Sequence, residues 1–380
     1  MRFIIIRLSA LLLLLASCAI DKKEDKVDKF ETIKTKIDSL GNRYLELGRF
    51  SGTIILADKD TVLYHKSFGL ADYENNIKFS DKTAFKIGEL SQLITYDIFQ
   101  RLIDMGKLKS SESILQYTEG KTSKLKIQEL IEDSTLIDYN VLGHIIENAT
   151  GINFQSHIQE YSERLTLENT FFDGKNANVA KGYLFQNTTG NGLELIPAKE
   201  YDLSEAFSNS GIKSTALDML KVLRSKDRKV EKEGYIEDDG FSYSVKSNID
   251  DRYFIVILSN RRQPVAQEMT ISLESILSGR NYTLPLPRKP FEIDRQKLKD
   301  FTGTYALNEN VQFQVIQEND SLFVMLGPQK VKIIPQSENQ FYMKDRDAAI
   351  RFLRDSQNQV YKVHLLDGFI DSDQVALKLK

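Results

Sequence analysis

The sequence predicts an α/β chain in two parts: a larger part mixing helices with strands, then a small all-β part. Three observations carry this expectation. Before residue 280, several stretches place apolar residues three and four apart and alternate with apolar β-rich runs. Three of the seven prolines fall in Leu284-Pro-Leu-Pro-Arg-Lys-Pro290, and proline breaks both helix and ladder. Beyond that run, apolar residues alternate singly, separated by short turn clusters.

Composition excludes several classes. The 380 residues carry 51 Lys+Arg against 54 Asp+Glu, a formal net charge of −3, with 41% hydrophobic and 28% charged residues. A wholly disordered chain is excluded by the amount of apolar material. Nucleic acid is not an expected partner, because no basic excess exists to hold phosphates. One cysteine forbids an intrachain disulfide, and four histidines leave few ligands for zinc. No metal or other cofactor is expected.

The first element is a leader. Arg2 and Arg7 precede an apolar run from Leu8 to Ala16, too short to span a bilayer and suited to a signal peptide over 1–17. It ends Leu15-Ala16-Ser17-Cys18, which resembles a bacterial lipobox, so Cys18 is the expected lipidation site. Residues 18–26 read as a lipidated tether, because Asp21–Lys26 is a run of charge that cannot bury anything. Ala19, in place of Asp, resembles lipoproteins sent to the outer membrane. The expected location is therefore the bacterial cell envelope, at the periplasmic face or cell surface, with a lipid anchor as the membrane contact.

The larger part is expected over 27–283. An amphipathic helix is predicted from Val27 to Leu47, with Val27, Phe30, Ile33, Ile37, Leu40, Tyr44 and Leu47 on one face. Gly52–Ala57 and Thr61–His65 flank a polar turn and predict a hairpin. Helices are predicted over 91–105, 139–149, 214–224 and 267–277, and Tyr253–Leu258 as a fully apolar strand. Residues 284–290 form the expected linker. Over 291–380, alternation at Val311/Phe313/Val315, Tyr361/Val363/Leu365 and Val375/Leu377/Leu379 predicts about eight strands in a small barrel or sandwich.

An ordered set of segments resembles the serine β-lactamase and penicillin-binding-protein family, in its class-C-like branch. Phe50-Ser-Gly-Thr-Ile-Ile-Leu-Ala57 with Lys66-Ser-Phe-Gly-Leu-Ala-Asp72 is similar to the family's opening hairpin. Phe85-Lys-Ile-Gly88 resembles the approach to its catalytic helix. Gly143-His-Ile-Ile-Glu-Asn-Ala-Thr-Gly151, Leu167–Phe172, Ala180–Tyr183, Gly211–Asp218 and Val256–Asn260 follow in the expected order. Phe301-Thr-Gly-Thr-Tyr305 resembles the start of the β-rich domain often appended to these proteins. The resemblance implies a central antiparallel sheet flanked by helices, with a small β-barrel-like domain behind it.

It also implies chemistry that the residues here cannot perform. The family places Ser-x-x-Lys at a helix start, so that an amine activates a hydroxyl one turn away. The matching residues are Glu89-Leu90-Ser91-Gln92, which puts Glu89 for the nucleophile and Gln92 for the base. The family's Tyr-x-Asn matches Ser134-Thr135-Leu136, so Ser134 and Leu136 replace both functional side chains. The third motif, on an edge strand, matches Lys232-Glu233-Gly234, with Lys232 and Gly234 at the motif positions. Ser123 with Lys126 repeats the Ser-x-x-Lys spacing ahead of another helix and reads as chance. His65, His144, His157 and His364 lie away from these motifs, and Asp133, Asp138, Asp238 and Asp239 read as solvated loop acids.

The expected function is therefore a catalytically inactive envelope protein that binds a peptidoglycan-derived fragment, a peptide or another envelope protein. The competing expectation is an active serine hydrolase of esterase or DD-peptidase type whose nucleophile has moved. If Glu89 pairs with Lys232 and side chains fill the old site, no ligand is expected to bind there. Convergent polar groups around an open space are expected to favour a ligand.

Overall fold

The computed structural model describes residues 30–379, apart from 119–124, 134–135, 173–177, 187–193, 200–206, 227–228, 237–238, 250–251, 262–264, 344–347 and 367–374. Helix α1 covers residues 30–46. It is followed by β1 (Gly52–Ala57), β2 (Val62–Phe68), β3 (Leu70–Asp72), β4 (Ile77–Lys78) and β5 (Phe85–Lys86). A 3-10 turn, Gly88–Leu90, leads into α2 (Ser91–Asp104). Next come α3 (Ile127–Glu132), α4 (Tyr139–Thr150), α5 (Phe154–Arg164), β6 (Tyr183–Gln186), β7 (Glu194–Pro197) and α6 (Phe207–Ser210). The sequence continues through β8 (Lys213–Ser214), α7 (Ala216–Arg224), β9 (Glu231–Ile236), β10 (Phe241–Ile249), β11 (Tyr253–Ser259) and α8 (Val265–Leu277).

The central sheet is antiparallel, in the order β2-β1-β11-β10-β9, which leaves β9 at an edge. Alternation sorts its side chains into two cores. Ile54, Leu56, Ile255 and Ile257 face α1 and α8, where Ile37, Leu40, Met269 and Leu273 are fully buried. Ile55, Val256 and Leu258 face the opposite way, against Ile94 of α2, Leu142 of α4 and Leu220 of α7. Because β11 is covered on both sides, its sequence is apolar without interruption.

Two helix starts differ from the sequence expectation by two residues, and several ends by one. Helix α8 begins at Val265, not 267, because Val265 and Ala266 are already fully buried. Helix α7 begins at Ala216, not 214. Ser214 is paired with Phe85 in β5–β8, and the Thr215 side chain caps the helix by accepting from the Asp218 N–H. Residues 280–294 carry no helix or strand. This run is held at both ends: Arg43 Nε donates to the Pro285 carbonyl (2.9 Å), and the Phe291 N–H donates to the Pro335 carbonyl (2.8 Å).

The C-terminal strands are β12 (Gly303–Ala306), β13 (Gln312–Glu318), β14 (Ser321–Leu326), β15 (Gln329–Pro335), β16 (Gln340–Met343), β17 (Ala349–Arg354), β18 (Val360–Leu365) and β19 (Val375–Lys378). They form a closed antiparallel barrel, sealed where Tyr305 and Ala306 pair with Lys378 and Leu377. Phe301, Tyr305, Phe341 and Phe352 pack its interior, with Phe301 and Phe352 ring centroids 4.7 Å apart. Among the described residues, no helix is long and apolar enough to cross a membrane.

Candidate functional site

The site is assembled at the start of α2. Strand β5 delivers the chain to Gly88, whose φ of +53° suits glycine and turns it into the helix. Glu89 lies on the 3-10 turn and Gln92 one turn further on. Lys232 reaches across from edge strand β9. Its Nζ donates to Gln92 Oε1 at 2.6 Å and stands 3.7 Å from Glu89 Oε2. The structure thus brings Glu89, Gln92 and Lys232 together.

Two further residues join them. Gln92 Nε2 donates to Asn209 Oδ1 at 2.7 Å, and the Asn209 N–H donates to Asn140 Oδ1 at 3.3 Å. Asn209 belongs to α6, which starts at Phe207 with a φ of 28°, a costly value for a bulky residue. Rings of His144, Phe154 and Phe172 surround Phe207, and Thr95 Oγ1 of α2 donates to the Ser208 carbonyl (2.7 Å). Nothing in the sequence pattern marks Asn209 or Asn140. Their role follows from the approach of α6 and α4 to α2.

The electrostatics leave little for acid–base work. Burial pushes the Lys232 amine below its ordinary value, and the nearby Glu89 carboxylate opposes that shift. Gln92 has both ends of its amide engaged and carries no proton that titrates near neutral pH. The Glu89 side chain is 59% exposed and offers only acceptors. None of these five side chains bears a hydroxyl or thiol. Ser91, the nearest hydroxyl in sequence, is fully buried, and its Oγ accepts from the Ile212 N–H at 3.2 Å.

The floor of the site is filled by Tyr243 of β10, which is paired with Gly234. A Cβ at Gly234 would stand 2.6 Å from the Tyr243 hydroxyl, and one at Gly88 would stand 2.8 Å from its ring. Gly234 therefore serves the packing of a phenol. Tyr243 is 3% exposed. Burial raises its pKa above the ordinary tyrosine value and the Glu89 carboxylate adds to this, while a hydrogen bond with the Glu89 backbone opposes it.

The remaining sequence candidates are scattered. Leu136 is 45% exposed, while Cys18, Ser123, Ser134 and Asp238 lie outside the described residues. His65 is on β2, His144 on α4, His157 on α5 and His364 on β18. Asp133 ends α3, and Asp138 caps α4 by accepting from the Asn140 and Val141 N–H groups. Asp239 corrects the reading of a solvated loop acid: it is 3% exposed and paired with Lys86 at 3.0 Å. No group of three His, Cys, Asp or Glu residues suited to a metal ion occurs among the described residues.

Comparison with known proteins agrees with this architecture. The model of a domain of unknown function, DUF3471, matches residues 287–377, the span of the barrel. The chain is 20% identical to penicillin-binding protein 4* of Bacillus subtilis, across 86% of this chain and 94% of that one. It is 23% identical to the teichoic acid D-alanine hydrolase of Staphylococcus aureus, over 48% of this chain and 55% of that protein. The octameric penicillin-binding protein homologue from Pyrococcus abyssi superposes with a TM-score of 0.57 at 16% identity, covering 90% of this chain and 99% of that one. The fold is that of the β-lactamase and DD-peptidase-like serine hydrolases, and the sequence relatives are penicillin-binding proteins and a teichoic acid D-alanine hydrolase. The resemblance read from the sequence holds in both respects.

Proposed function

We propose that the chain is a catalytically inactive relative of these hydrolases. In this reading an acylated Cys18 holds it on the cell envelope, and it binds a peptidoglycan-derived, peptide or protein ligand without cleaving it. The observation that carries the reading is the Lys232–Gln92–Asn209 chain beside Glu89. It occupies the place where acyl transfer needs a hydroxyl activated by a base. An amide cannot accept the hydroxyl proton, and Tyr243 closes the space beneath. With the old site paired and filled, the ligand is met outside it, at the rim, chiefly by the exposed Glu89 carboxylate.

The test is intact-protein mass spectrometry of the folded chain after incubation with a fluorophosphonate and with a penicillin. No covalent adduct is expected from either reagent. A stoichiometric adduct mapped to any Ser or Thr would overturn the reading and identify a relocated nucleophile. The same spectra of protein from membranes should show an acylated Cys18 at the N-terminus.

A further inference from the structure

Away from the cleft, α2 and α5 face each other through positions 98, 101, 102 and 105 and positions 157, 160, 161 and 164, the same i, i+3, i+4, i+7 spacing on each. Between them lies a small pocket with an apolar floor of Ile98, Leu102 and Tyr161. Three cations rim it, Arg101, Lys107 and Arg164, against one carboxylate, Glu160. In a chain of net charge −3 this is a local excess of positive charge.

These cations are not consumed by the fold. Arg101 meets Glu160 only at 3.9 Å. Among the described residues, Lys107 and Arg164 have no carboxylate partner, and Arg164 rests over the Tyr161 ring at 5.0 Å. Cations gather at helix C-termini to meet bare carbonyls, but here backbone N–H groups already do so. Met105, Gly106 and Lys107 N–H donate to the carbonyls of Arg101, Ile103 and Leu102. At the end of α5, Leu165 and Leu167 N–H donate to those of Tyr161 and Ser162.

Beside the pocket two large apolar side chains stand in solvent, Met105 (52% exposed) and Ile152 (42%). Cations around a small apolar-floored depression, flanked by exposed aliphatic groups, suit a surface that is anionic outside and apolar just beneath. We propose that this rim of cations meets the phosphate groups of anionic phospholipids at a bilayer surface, with Met105 and Ile152 seated at the acyl boundary. Gln92 and Arg101 are separated by about 14 Å along α2, at 1.5 Å per residue. The proposal does not depend on whether the cleft is catalytic.

The test uses the full chain with Cys18→Ser, so that no acyl anchor contributes, and vesicles of phosphatidylcholine with or without phosphatidylglycerol. Binding is expected only with phosphatidylglycerol present. Arg101→Gln, Lys107→Gln and Arg164→Gln together should weaken it about a hundredfold, from the usual contribution of a cation near a charged membrane. These side chains are exposed, and an unchanged far-UV circular dichroism spectrum checks the fold. Met105→Ser with Ile152→Ser, a second variant, should weaken binding severalfold and leave its salt dependence intact. Equal binding to both vesicles, or undiminished binding by the triple variant, overturns the proposal. Displacement by millimolar inorganic phosphate at constant ionic strength also overturns it, assigning the pocket to the free anion.

Discussion

Two cation–carboxylate pairs sit on opposite sides of the central sheet, and their settings differ sharply. Arg49 and Glu268 meet at 2.9 Å with side chains 2% and 7% exposed, and Tyr44 donates a further hydrogen bond to the carboxylate at 3.2 Å. Lys232 and Glu89 stand 3.7 Å apart with side chains 25% and 59% exposed. The first pair joins the end of α1 to α8 where water cannot replace a missing partner. In the second, the Glu89 carboxylate is largely in solvent, so replacing it has little consequence for folding. Folding therefore depends far less on the second pair than on the first.

The largest effect should come from breaking the buried pair. Arg49→Met leaves the Glu268 carboxylate uncompensated, which costs about 3–5 kcal/mol. Urea unfolding measures this, and adding Glu268→Leu should recover most of the loss. If the single variant unfolds like the native chain, the contrast between the two pairs collapses. Next is Gly234→Val, which drives a side chain into the Tyr243 hydroxyl. Overpacking of this kind costs about 1–3 kcal/mol, read as a lower Tm, and an unchanged Tm would show the floor of the cleft to be loose.

An intermediate case is Asp72, whose side chain is 10% exposed and paired with a 39% exposed Lys181 at 2.9 Å. Burial alone would raise its pKa, but hydrogen bonds from Asn75 and Lys181 outweigh that and hold it at about 2, below the ordinary 3.8. A carboxyl depressed on folding contributes stability above its unfolded value and loses it as pH falls through the folded one. Stability of the native chain should therefore drop between pH 3.8 and about 2. Asp72→Asn should flatten that part of the profile in acid titrations followed by circular dichroism. The smallest effect belongs to Glu89→Gln, within about 1 kcal/mol, as exposed ion pairs give. A much larger loss would mean that the cleft is held together by its charges.

Much of the architecture was legible without coordinates. The apolar spacing in α2 and α4 and the unbroken run of β11 reflect burial by neighbouring layers, and burial leaves its period in the sequence. The proline run coincides with the stretch that lacks helix and strand, because proline suits neither. The site was legible only in part. Glu89, Gln92 and Lys232 were marked by their motif positions, whereas Asn209, Asn140 and Tyr243 carried no local signal. Asp239 was misread because a turn acid in sequence looks the same whether its turn faces water or packs beside Lys86.

The sequence by itself determined the layers, the change of texture after the prolines, and the residue types Glu89, Gln92 and Lys232 at positions read from the resemblance. These are local properties, written in spacing and residue type. Tertiary structure decided which side chains meet at the start of α2. Gln92 meets Asn209 across 117 residues and Lys232 across 140, and Tyr243 enters from a neighbouring strand through space left by two glycines. Hydrogen bonding and close packing act at about 3 Å whatever the separation along the chain, so only the folded arrangement specifies which side chains fill the cleft.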